Sequence, residues 1–259
     1  MSPAPGIARL FELNGRTALI TGASSGLGRA IAEALAGAGA RIVAVARRKA
    51  PLDETVGALR ESGAQAEAIS ADIADRAEIA RLADAAAQPF GAPDILVNAA
   101  GINTREPADK VTAEGWDATL AINLSAPFFL AQRLAPAMAG RGWGRIINIA
   151  SLQSVRAFAN GIAYGASKGG VIQLTRAMAE AWSPHGVCCN AIAPGFFPTA
   201  LTEPVFRDEQ LVKKLAAQTM IGRNGRLEDI HGIAVFLASP ASDYITGQTI
   251  FLDGGFTAR

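Results

Sequence analysis

Two side chains of this sequence have the spacing of an acid/base pair. Tyr164 and Lys168 are four residues apart in the run Tyr164-Gly-Ala-Ser-Lys168, so on a helix both lie on one face. A phenol has a pKa of about 10, and proton transfer near pH 7 requires a shift of roughly three units, or about 4 kcal/mol. A positive charge about 4 Å away, at an effective dielectric near 20, supplies roughly that much. An ordinary helix with a buried aromatic residue and a solvated amine fits the same spacing, so the pair needs support from elsewhere in the sequence.

That support comes from a glycine-rich turn, Thr21-Gly22-Ala-Ser-Ser-Gly26-Leu-Gly28. An apolar strand-like run precedes it at residues 17–20, and a strongly helical pattern follows it at residues 29–36. Such a turn lets the backbone approach a pyrophosphate, and the helix N-terminus then presents N–H groups to it. A tight turn that simply needs glycine is the alternative. The flanking strand and helix favour dinucleotide binding.

Strand-like and helix-like segments alternate along the chain. Seven short apolar runs are interpreted as strands, at residues 18–20, 41–45, 66–70, 95–97, 145–149, 187–192 and 248–252. The alternation predicts an α/β fold with a doubly wound, seven-stranded parallel sheet and helices on both faces. No linker or internal repeat divides residues 1–259, so a single Rossmann-like domain is expected. The long connection at residues 194–220 is expected to be functional.

Several residues that could bind a ligand come directly after predicted strands. They are Gly22, Asp72, Asn98, Ser151 and Pro194. Ligands in open α/β sheets bind at the carboxyl ends of the strands. These residues are therefore expected to meet at one edge of the sheet and to form one site.

The ordered motifs resemble those of the short-chain dehydrogenase/reductase family. After the glycine-rich turn come Asp72-Ile73, Asn98-Ala-Ala-Gly101, Asn123, Ser151, Tyr164-x-x-x-Lys168 and Pro194-Gly195. The resemblance covers essentially the whole chain and implies a nicotinamide-dependent oxidoreductase, with residues 194–220 as a lid over the substrate. The chain is most similar to the gluconate 5-dehydrogenase group of sugar-acid and polyol reductases. That likeness is carried by Phe11-Glu-Leu-x-Gly15-Arg, Ser151-Leu-Gln-Ser154, Ile192-Ala-Pro-Gly-Phe196 and Asp253-Gly-Gly-Phe256-Thr.

The resemblance implies four catalytic residues. Tyr164 would donate the proton in reduction and accept it in oxidation, while Lys168 would lower the pKa of the phenol and hydrogen-bond the nicotinamide ribose. Ser151 would hydrogen-bond the reacting oxygen and stabilise developing negative charge, and Asn123 would hold a water between Lys168 and solvent. A nucleophilic Ser151 lacks a Gly-x-Ser-x-Gly turn. Asn123 could instead bend or cap its helix.

The resemblance also implies a set of cofactor-binding residues in the glycine-rich turn and at the ends of later strands. They are Gly22, Ser24, Ser25, Gly26, Leu27, Gly28, Arg47, Arg48, Asp72, Ile73, Asn98, Ala99, Gly101, Tyr164, Lys168, Pro194, Gly195 and Thr199. Asp72 would accept a hydrogen bond from the adenine amino group, unless it caps the helix near Asp75. The family usually has a second Asn at Ala99, so one supporting hydrogen bond is missing here.

The end of the second strand-like run predicts NADP as the cofactor. The segment reads Val43-Ala-Val-Ala46-Arg47-Arg48-Lys49, with Ala46 at the place where an acidic residue would bind the ribose 2′-hydroxyl. Three consecutive cations follow, and arginine pairs well with phosphate. If this basic turn is only a solvated one, NAD is possible as well.

Arg105 is the candidate for binding a substrate carboxylate. It follows the fourth predicted strand, where the gluconate 5-dehydrogenase-like group has a basic pair and this chain has Thr104-Arg105. A solvated loop arginine paired with Glu106 is the alternative. The further substrate-lining candidates, besides Ser151 and Tyr164, are Gln153, Ser154, Phe158 and Phe196.

Composition argues against several other classes of protein. The 24 basic and 23 acidic residues give a net charge of +1, which disfavours nucleic-acid or membrane-surface binding. No apolar stretch is long enough to span a bilayer, and residues 1–6 are too short and polar for a signal peptide and are expected to be a loose tail. Adjacent Cys188 and Cys189 suit buried thiols in a reducing cytoplasm. The separated His185 and His231 give no metal site.

The leading hypothesis is an NADP-dependent alcohol dehydrogenase/ketone reductase for a small polyhydroxy acid or polyol. A 3-oxoacyl thioester (acyl carrier protein) reductase is the alternative enzyme, which an apolar lid with Phe196, Phe197 and Phe206 permits. A nucleotide-binding redox sensor or scaffold without turnover is the alternative of another class. Apolar residues on more than one face of the helices at residues 117–138 and 164–182, together with the family resemblance, predict a homotetramer. Packing within one subunit is the competing explanation.

Overall fold

The computed structural model describes residues 6–259, which contain one sheet of seven parallel strands. These are β1 (Thr17–Thr21), β2 (Arg41–Ala46), β3 (Ala66–Ser70), β4 (Ile95–Asn98), β5 (Gly144–Ile149), β6 (Val187–Pro194) and β7 (Thr249–Leu252). Their order across the sheet is β3-β2-β1-β4-β5-β6-β7, which confirms the predicted doubly wound topology. Residues 1–5 of the predicted N-terminal tail lie outside the described range.

The central strands are buried along their whole length. Every residue of β1, β4, β5 and β6 is buried, because helices cover both faces of a parallel sheet. This is why the strands are nearly continuous apolar runs rather than alternating patterns. The predicted runs match the observed strands within two residues at each end, and the largest difference is at β6, which continues to Pro194.

Two layers of helices enclose the sheet. One face is covered by α1 (Gly26–Gly37), α2 (Lys49–Glu61) and α9 (His231–Ala238), whose apolar sides share a core with β1 and β2. The other face is covered by α3 (Arg76–Ala86), α5 (Ala126–Gly140) and α6 (Ile162–Trp182). The helices on both faces confirm that part of the predicted fold class.

The long helix predicted at residues 117–138 is interrupted. It is divided into α4 (Ala113–Leu120), a π-helical turn at Ala121–Ser125, and α5. Pro127 has no N–H, so it cannot donate the α-helical bond to the carbonyl of Asn123 four residues earlier. The π turn accommodates this break and orients Asn123 in the middle of the wide turn.

The segment predicted as a lid leaves the sheet after β6. It contains a short 3-10 turn at Ala200–Thr202, followed by α7 (Glu203–Phe206) and α8 (Glu209–Gln218). Asp208 caps α8 by accepting from the backbone N–H groups of Gln210 and Leu211. Apolar side chains of this segment pack against Phe256 near the C-terminus.

Both cysteines are buried and free, as predicted from their adjacency. No helix within residues 6–259 combines the length and apolar character needed to cross a bilayer. Over the same range, no three His, Cys, Asp or Glu side chains are grouped so that they could bind a metal ion.

Candidate active site

A cavity of about 830 Å³ lies at the carboxyl edge of the sheet. It is lined by Gly22 and Ser151, which follow β1 and β5, by Pro194 at the end of β6, and by Asp72 beyond β3. The strand order reverses between β1 and β4, and such switch points are where open α/β sheets bind ligands. The structure thus brings most of the predicted site to one place.

The glycine-rich turn is shaped to admit a ligand close to its backbone. Gly22 has φ +70°, and a Cβ there would lie 2.8 Å from the backbone of Ala100. A Cβ on Gly28 would lie 2.3 Å from the carbonyl oxygen of Gly22. The turn leads directly into the N-terminus of α1 at Gly26, which fits a pyrophosphate group. This region of the cavity therefore suits a dinucleotide.

The cavity wall contains nearly all of the predicted cofactor-binding residues. The ones that line it are Gly22, Ser24, Ser25, Gly26, Leu27, Gly28, Arg47, Arg48, Asp72, Ile73, Ala99, Gly101, Tyr164, Lys168, Pro194, Gly195 and Thr199. Asn98 is the exception among the predicted residues.

The side chain of Asn98 is used inside the sheet instead. Its amide donates to Asn148 on β5 at 2.9 Å, and Asn148 in turn donates to Thr175 on α6, also at 2.9 Å. All three residues are buried, where an unpaired amide would be costly. The Asn98 side chain is therefore turned away from the cavity, because a buried partner on the next strand takes its amide, and its predicted role in cofactor binding stays a prediction.

Arg47 and Arg48, the two arginines predicted to bind phosphate, line the cavity directly after β2. The Arg47 guanidinium is exposed and lies 3.8 Å from the carboxylate of Asp72. An exposed pair at this distance is weak, so Arg47 is free to turn towards an anion. Asp72 accepts from the N–H of Ala74, whereas Asp75 itself caps α3. The alternative role of Asp72 as the cap of that helix is therefore wrong.

Tyr164 and Lys168 lie on one face of α6, and both are buried in the cavity wall. The Lys168 ammonium lies 5.7 Å from the centre of the Tyr164 ring and donates to the carbonyl oxygen of Ile149 at 2.6 Å. Helix α6 and the end of β5 are thus joined at the site. The helical placement predicted from the i, i+4 spacing is observed.

The electrostatics of this pair differ from the sequence argument. Burial raises the pKa of Tyr164 above its ordinary value, and this outweighs the Ser151 hydroxyl and then the positive charge of Arg105, which both lower it. Burial also lowers the pKa of Lys168 to about 8. Burial thus disfavours both charged forms, the Lys168 ammonium and the Tyr164 phenolate. Without a bound cofactor, the protein therefore does not give Tyr164 the lowered pKa that the sequence argument expects.

Ser151 is held at the start of a short turn after β5. Its extended backbone begins the 3-10 turn Leu152–Ser154, and its Oγ accepts from the N–H of Gln153 at 3.1 Å. One acceptor position of the hydroxyl is thereby used. Its proton stays available for donation to a substrate oxygen or to the Tyr164 phenol, because a hydroxyl can accept and donate at the same time.

Asn123 lies behind the cavity wall and is almost fully buried. Its Oδ1 accepts from the N–H of Ile102 at 2.9 Å, while its amide donates to the carbonyl of Ile102 and to Ser167 Oγ. Ser167 in turn donates to the carbonyl of Tyr164. The side chain thus ties the loop after β4 to the helix that carries Tyr164 and Lys168. The π turn at this residue agrees with the alternative of a bent helix, and the water expected between Lys168 and solvent stays a prediction.

Arg105 reaches into the cavity from the loop after β4. It has φ +55°, in the left-handed region, and Asn103 stabilises this conformation by accepting from its N–H at 3.2 Å. Its guanidinium donates to the carbonyl of Leu201 in the predicted lid at 3.1 Å. Strained non-glycine residues are concentrated at functional sites.

The alternative pairing of Arg105 with Glu106 is not what the structure has. The Glu106 carboxylate accepts from Thr104 at 3.0 Å and lies against Gly115 in the first turn of α4. Helix N-termini favour negative charge, so Glu106 is stabilised there. Within residues 6–259, Arg105 and Glu106 form no ion pair, and the arginine charge faces the cavity.

Apolar side chains also line the cavity. Phe158 and Phe196 line it as predicted, with ring centres 5.8 Å apart, and both rings pack against Phe256. Gln153 also lines the cavity, whereas Ser154 does not. Sequence reasoning did not identify Asn103, Asn160, Leu201, Val205, Leu211 and Leu215, which also line it. The two asparagines carried a usable signal, because Asn is frequent in strained loops.

Comparison with known proteins assigns the family. A family model described as enoyl-(acyl carrier protein) reductase matches residues 22–257. A gluconate 5-dehydrogenase from Gluconobacter oxydans is 39% identical over 248 residues, covering 96% of this chain and 97% of that one. The chain belongs to the short-chain dehydrogenase/reductase family. This confirms the resemblance drawn from the ordered motifs and makes the protein an oxidoreductase of that family.

Two further members of the short-chain dehydrogenase/reductase family are similarly close. A 2-dehydro-3-deoxy-D-gluconate 5-dehydrogenase from Bacillus subtilis is 42% identical over 254 residues, covering 96% of this chain and 97% of that one. A gluconate 5-dehydrogenase from Burkholderia cenocepacia, solved in complex with NADP and tartrate, superimposes with a TM-score of 0.94. It is 39% identical, and the match covers 98% of this chain and all of that one.

Proposed function

We propose that this short-chain dehydrogenase/reductase transfers hydride reversibly between NADP and a secondary alcohol or ketone of a small polyhydroxy acid or polyol. The observation that carries this proposal is one continuous cavity. It joins the glycine-rich turn, the Ser151, Tyr164 and Lys168 side chains, and the arginine at its far end. A hydride carrier, a proton carrier and an anion anchor are thus within one enclosure.

The proton transfer is assigned to Tyr164. In reduction the phenol donates to the carbonyl oxygen as the hydride arrives, and in oxidation the phenolate accepts the hydroxyl proton. Ser151, which already accepts from the Gln153 N–H, donates to the same substrate oxygen and stabilises its developing negative charge. Lys168 holds its ammonium beside the phenol ring and anchors α6 to β5 through Ile149.

The cofactor fits the other end of the cavity. The residues that would hold it are the glycine-rich turn for the pyrophosphate, Asp72 and Ile73 near the base, and Arg47 with Arg48 for a 2′-phosphate. NADP, when bound, supplies the hydride in its reduced form and a cationic ring in its oxidised form. A positive charge near Tyr164 would oppose the effect of burial and lower the pKa of the phenol.

The substrate is proposed to carry a carboxylate that pairs with Arg105. The guanidinium lines the cavity close enough to Tyr164 for its positive charge to lower the pKa of the phenol, and it has no carboxylate partner among the described residues. The relatives named above act on gluconate and a deoxy-gluconate derivative, and one was solved with tartrate, a hydroxy diacid. A polyol without a carboxylate would use the same catalytic residues but not this contact.

A 3-oxoacyl thioester reductase is the second candidate, on account of the apolar wall. Val205, Leu211 and Leu215 of the predicted lid line the cavity beside Phe158 and Phe196, and such a wall suits an acyl chain. The partly buried charge of Arg105 has no use in binding a neutral acyl chain. The sugar-acid function is therefore the better supported of the two.

The lid, the assembly and the location complete the proposal. Residues 194–220 would act as a lid over the substrate within a single domain spanning residues 1–259. Exposed apolar side chains near α6, among them Val155 and Ile162, support a homotetramer. Two free buried thiols support a cytoplasmic location.

One screen tests the proposed function. The purified protein is assayed by nicotinamide absorbance with sugar acids, polyols and 3-oxoacyl thioesters, each with NADP and with NAD, and Tyr164→Phe serves as the inactive control. We expect turnover with sugar acids or polyols that is lost in the variant. Turnover confined to thioesters would select the second candidate. NADPH binding without turnover on any substrate would support a sensor or scaffold instead.

A further inference from the structure

Ser154 lies outside the cavity but joins two parts of the site. Its Oγ accepts from the backbone N–H of Ser151 at 3.3 Å and donates to the backbone carbonyl of Lys168 at 2.7 Å. Ser151 begins the turn after β5, whereas Lys168 belongs to α6. One hydroxyl therefore bridges the two elements whose side chains must meet at the substrate.

The surface of α6 allows the turn to approach closely. Ideal Cβ atoms on Gly165 and Gly169 would lie 3.7 Å from the carbonyl oxygens of Gln153 and Ser154, respectively. These two glycines are four residues apart and form a smooth strip on the helix next to Tyr164 and Lys168. The carbonyls of Gln153 and Ser154 therefore lie over this strip, with room for no more than a small side chain between the turn and the helix. A hydroxyl at Ser154 is needed there to set their relative position, because glycine has no side chain to interlock.

The second bond of this turn orients Ser151. The Ser151 Oγ accepts from the N–H of Gln153, so the direction of its proton depends on the position of the turn. If the turn slides along α6, the Ser151 hydroxyl moves relative to the Tyr164 phenol. Ser154 thus sets the position of the turn, the turn sets the position of the Ser151 hydroxyl, and that hydroxyl acts on the Tyr164 phenol.

We propose that Ser154 is a positioning residue, which holds the Ser151 hydroxyl against the Tyr164 phenol by bonding the turn after β5 to the backbone of α6. It does not line the large cavity that contains Tyr164 and Lys168, and lies instead beside a separate cavity of about 430 Å³. The inference concerns the site of the proposed function, and its first test is made without substrate so that it stands independently of that function.

The composition of the chain makes a direct test possible. The chain has two tyrosines, and Tyr244 is fully exposed, so a Tyr244→Phe background leaves Tyr164 as the single tyrosine. Carbon-13 labelling of the tyrosine ring then reports ionisation of Tyr164 alone by NMR. The Ser151 hydroxyl lowers the pKa of this phenol, so its displacement is measurable as a rise in that pKa. The nearby charges, Lys168 and Arg105, are unchanged by the variants.

A double-mutant cycle separates positioning from a general loss of structure. We expect Ser154→Ala to raise the pKa of Tyr164 by roughly 0.5–1 unit, the value of one lost hydrogen bond. In a Ser151→Ala background, the same substitution should have no further effect. Ser154→Thr retains the hydroxyl and should restore the original pKa. An equal shift in both backgrounds, or no shift in either, would overturn the proposal.

Two additional variants complete the experiment. Ser242→Ala is the matched control, because the Ser242 Oγ likewise donates to backbone carbonyls, those of Leu237 and Ser239, away from the cavity. It should leave the Tyr164 pKa unchanged. If Ser154→Ala does not fold, Ser154→Cys preserves the size of the side chain with a poor donor and should give a shift of the same sign.

Kinetics then relate the positioning to turnover. With any substrate that the screen identifies, Ser154→Ala should lower kcat about tenfold, the rate equivalent of one hydrogen bond, and leave the KM for NADPH unchanged. An unchanged kcat would contradict the proposal. A wild-type protein without turnover would count against the proposed function, while the NMR cycle would still decide the role of Ser154.

Discussion

The Lys168 ammonium donates a hydrogen bond to the carbonyl oxygen of Ile149, 2.6 Å away, on the last residue of β5. The strand that leads to Ser151 is thus fastened to the helix that carries Tyr164. The bond also directs the lysine charge to a backbone carbonyl, which explains how burial can dominate the ionisation of the nearby phenol.

The first prediction concerns Tyr164 in the free protein. In the Tyr244→Phe background, carbon-13 tyrosine NMR should give Tyr164 a pKa above its ordinary value of about 10, because the phenolate is buried. Addition of NADP in its oxidised form should lower that pKa, since it brings a positive charge into the cavity. A pKa well below 10 without cofactor would show that Lys168 acidifies the phenol unaided.

The second prediction concerns the stability cost of Lys168. Its pKa in the folded protein is about 8, below the ordinary 10.5, so folding is penalised wherever the unfolded chain is protonated. Because Met carries no charge, Lys168→Met should raise the free energy of unfolding at pH 7 by up to about 3 kcal/mol. It should also abolish activity, because it removes the ammonium beside the Tyr164 phenol. Chemical denaturation at several pH values measures this difference.

The same substitution has a defined pH signature. Between pH 8 and 10.5 the unfolded wild-type chain binds more protons at Lys168 than the folded protein does, so wild-type stability rises with pH relative to the variant. The advantage of Lys168→Met should shrink across this window. A variant that is less stable than wild type by the same amount at pH 7 and pH 10 would disprove the assignment.

The third prediction tests the dinucleotide turn. Gly28→Ala would bring a Cβ to 2.3 Å from the Gly22 carbonyl oxygen, a backbone atom that cannot move cheaply. NADPH affinity, measured by fluorescence titration, should fall at least about tenfold as the turn opens. Gly37→Ala, at the other end of α1, meets nothing within 4 Å. It should leave affinity unchanged and stabilise the protein by about 0.5–1 kcal/mol.

The fourth prediction concerns the choice of cofactor. Arg47→Ala should lower the NADP:NAD ratio of kcat/KM about tenfold or more, because it removes a charge-assisted bond to the 2′-phosphate. Arg29→Ala is the control, since Arg29 lies on α1 paired to Glu33 and outside the cavity wall. If Arg47→Ala leaves the ratio unchanged, the basic turn is only a solvated one and NAD is as good a cofactor.

The fifth prediction concerns the substrate carboxylate. Arg105→Gln should raise the KM for acidic substrates at least tenfold, the approximate value of a lost charge-assisted hydrogen bond, and change the KM for neutral polyols little. Arg156→Gln alters an exposed arginine outside the cavity wall and should change neither. Equal effects of Arg105→Gln on acidic and neutral substrates would reject the carboxylate contact.

The fold followed from short-range patterns. The strands at residues 18–20 and 95–97 were predictable because buried parallel strands require continuous apolar residues, and the turn from Gly22 to Gly28 was predictable because its backbone needs glycine. The break at Asn123 was not predicted as a π turn, although Pro127 in the sequence carries its physical cause.

What only the tertiary structure decided depends on which groups meet across distant segments. The sequence determined that Asn98 ends a strand and that Tyr164 and Lys168 share one face of a helix, because local spacing and polarity are enough to predict these positions. Only the folded structure shows that the Asn98 amide donates to Asn148 and that burial raises the pKa of Tyr164. Solvent exclusion and hydrogen-bond partners arise from packing, so no local pattern encodes them.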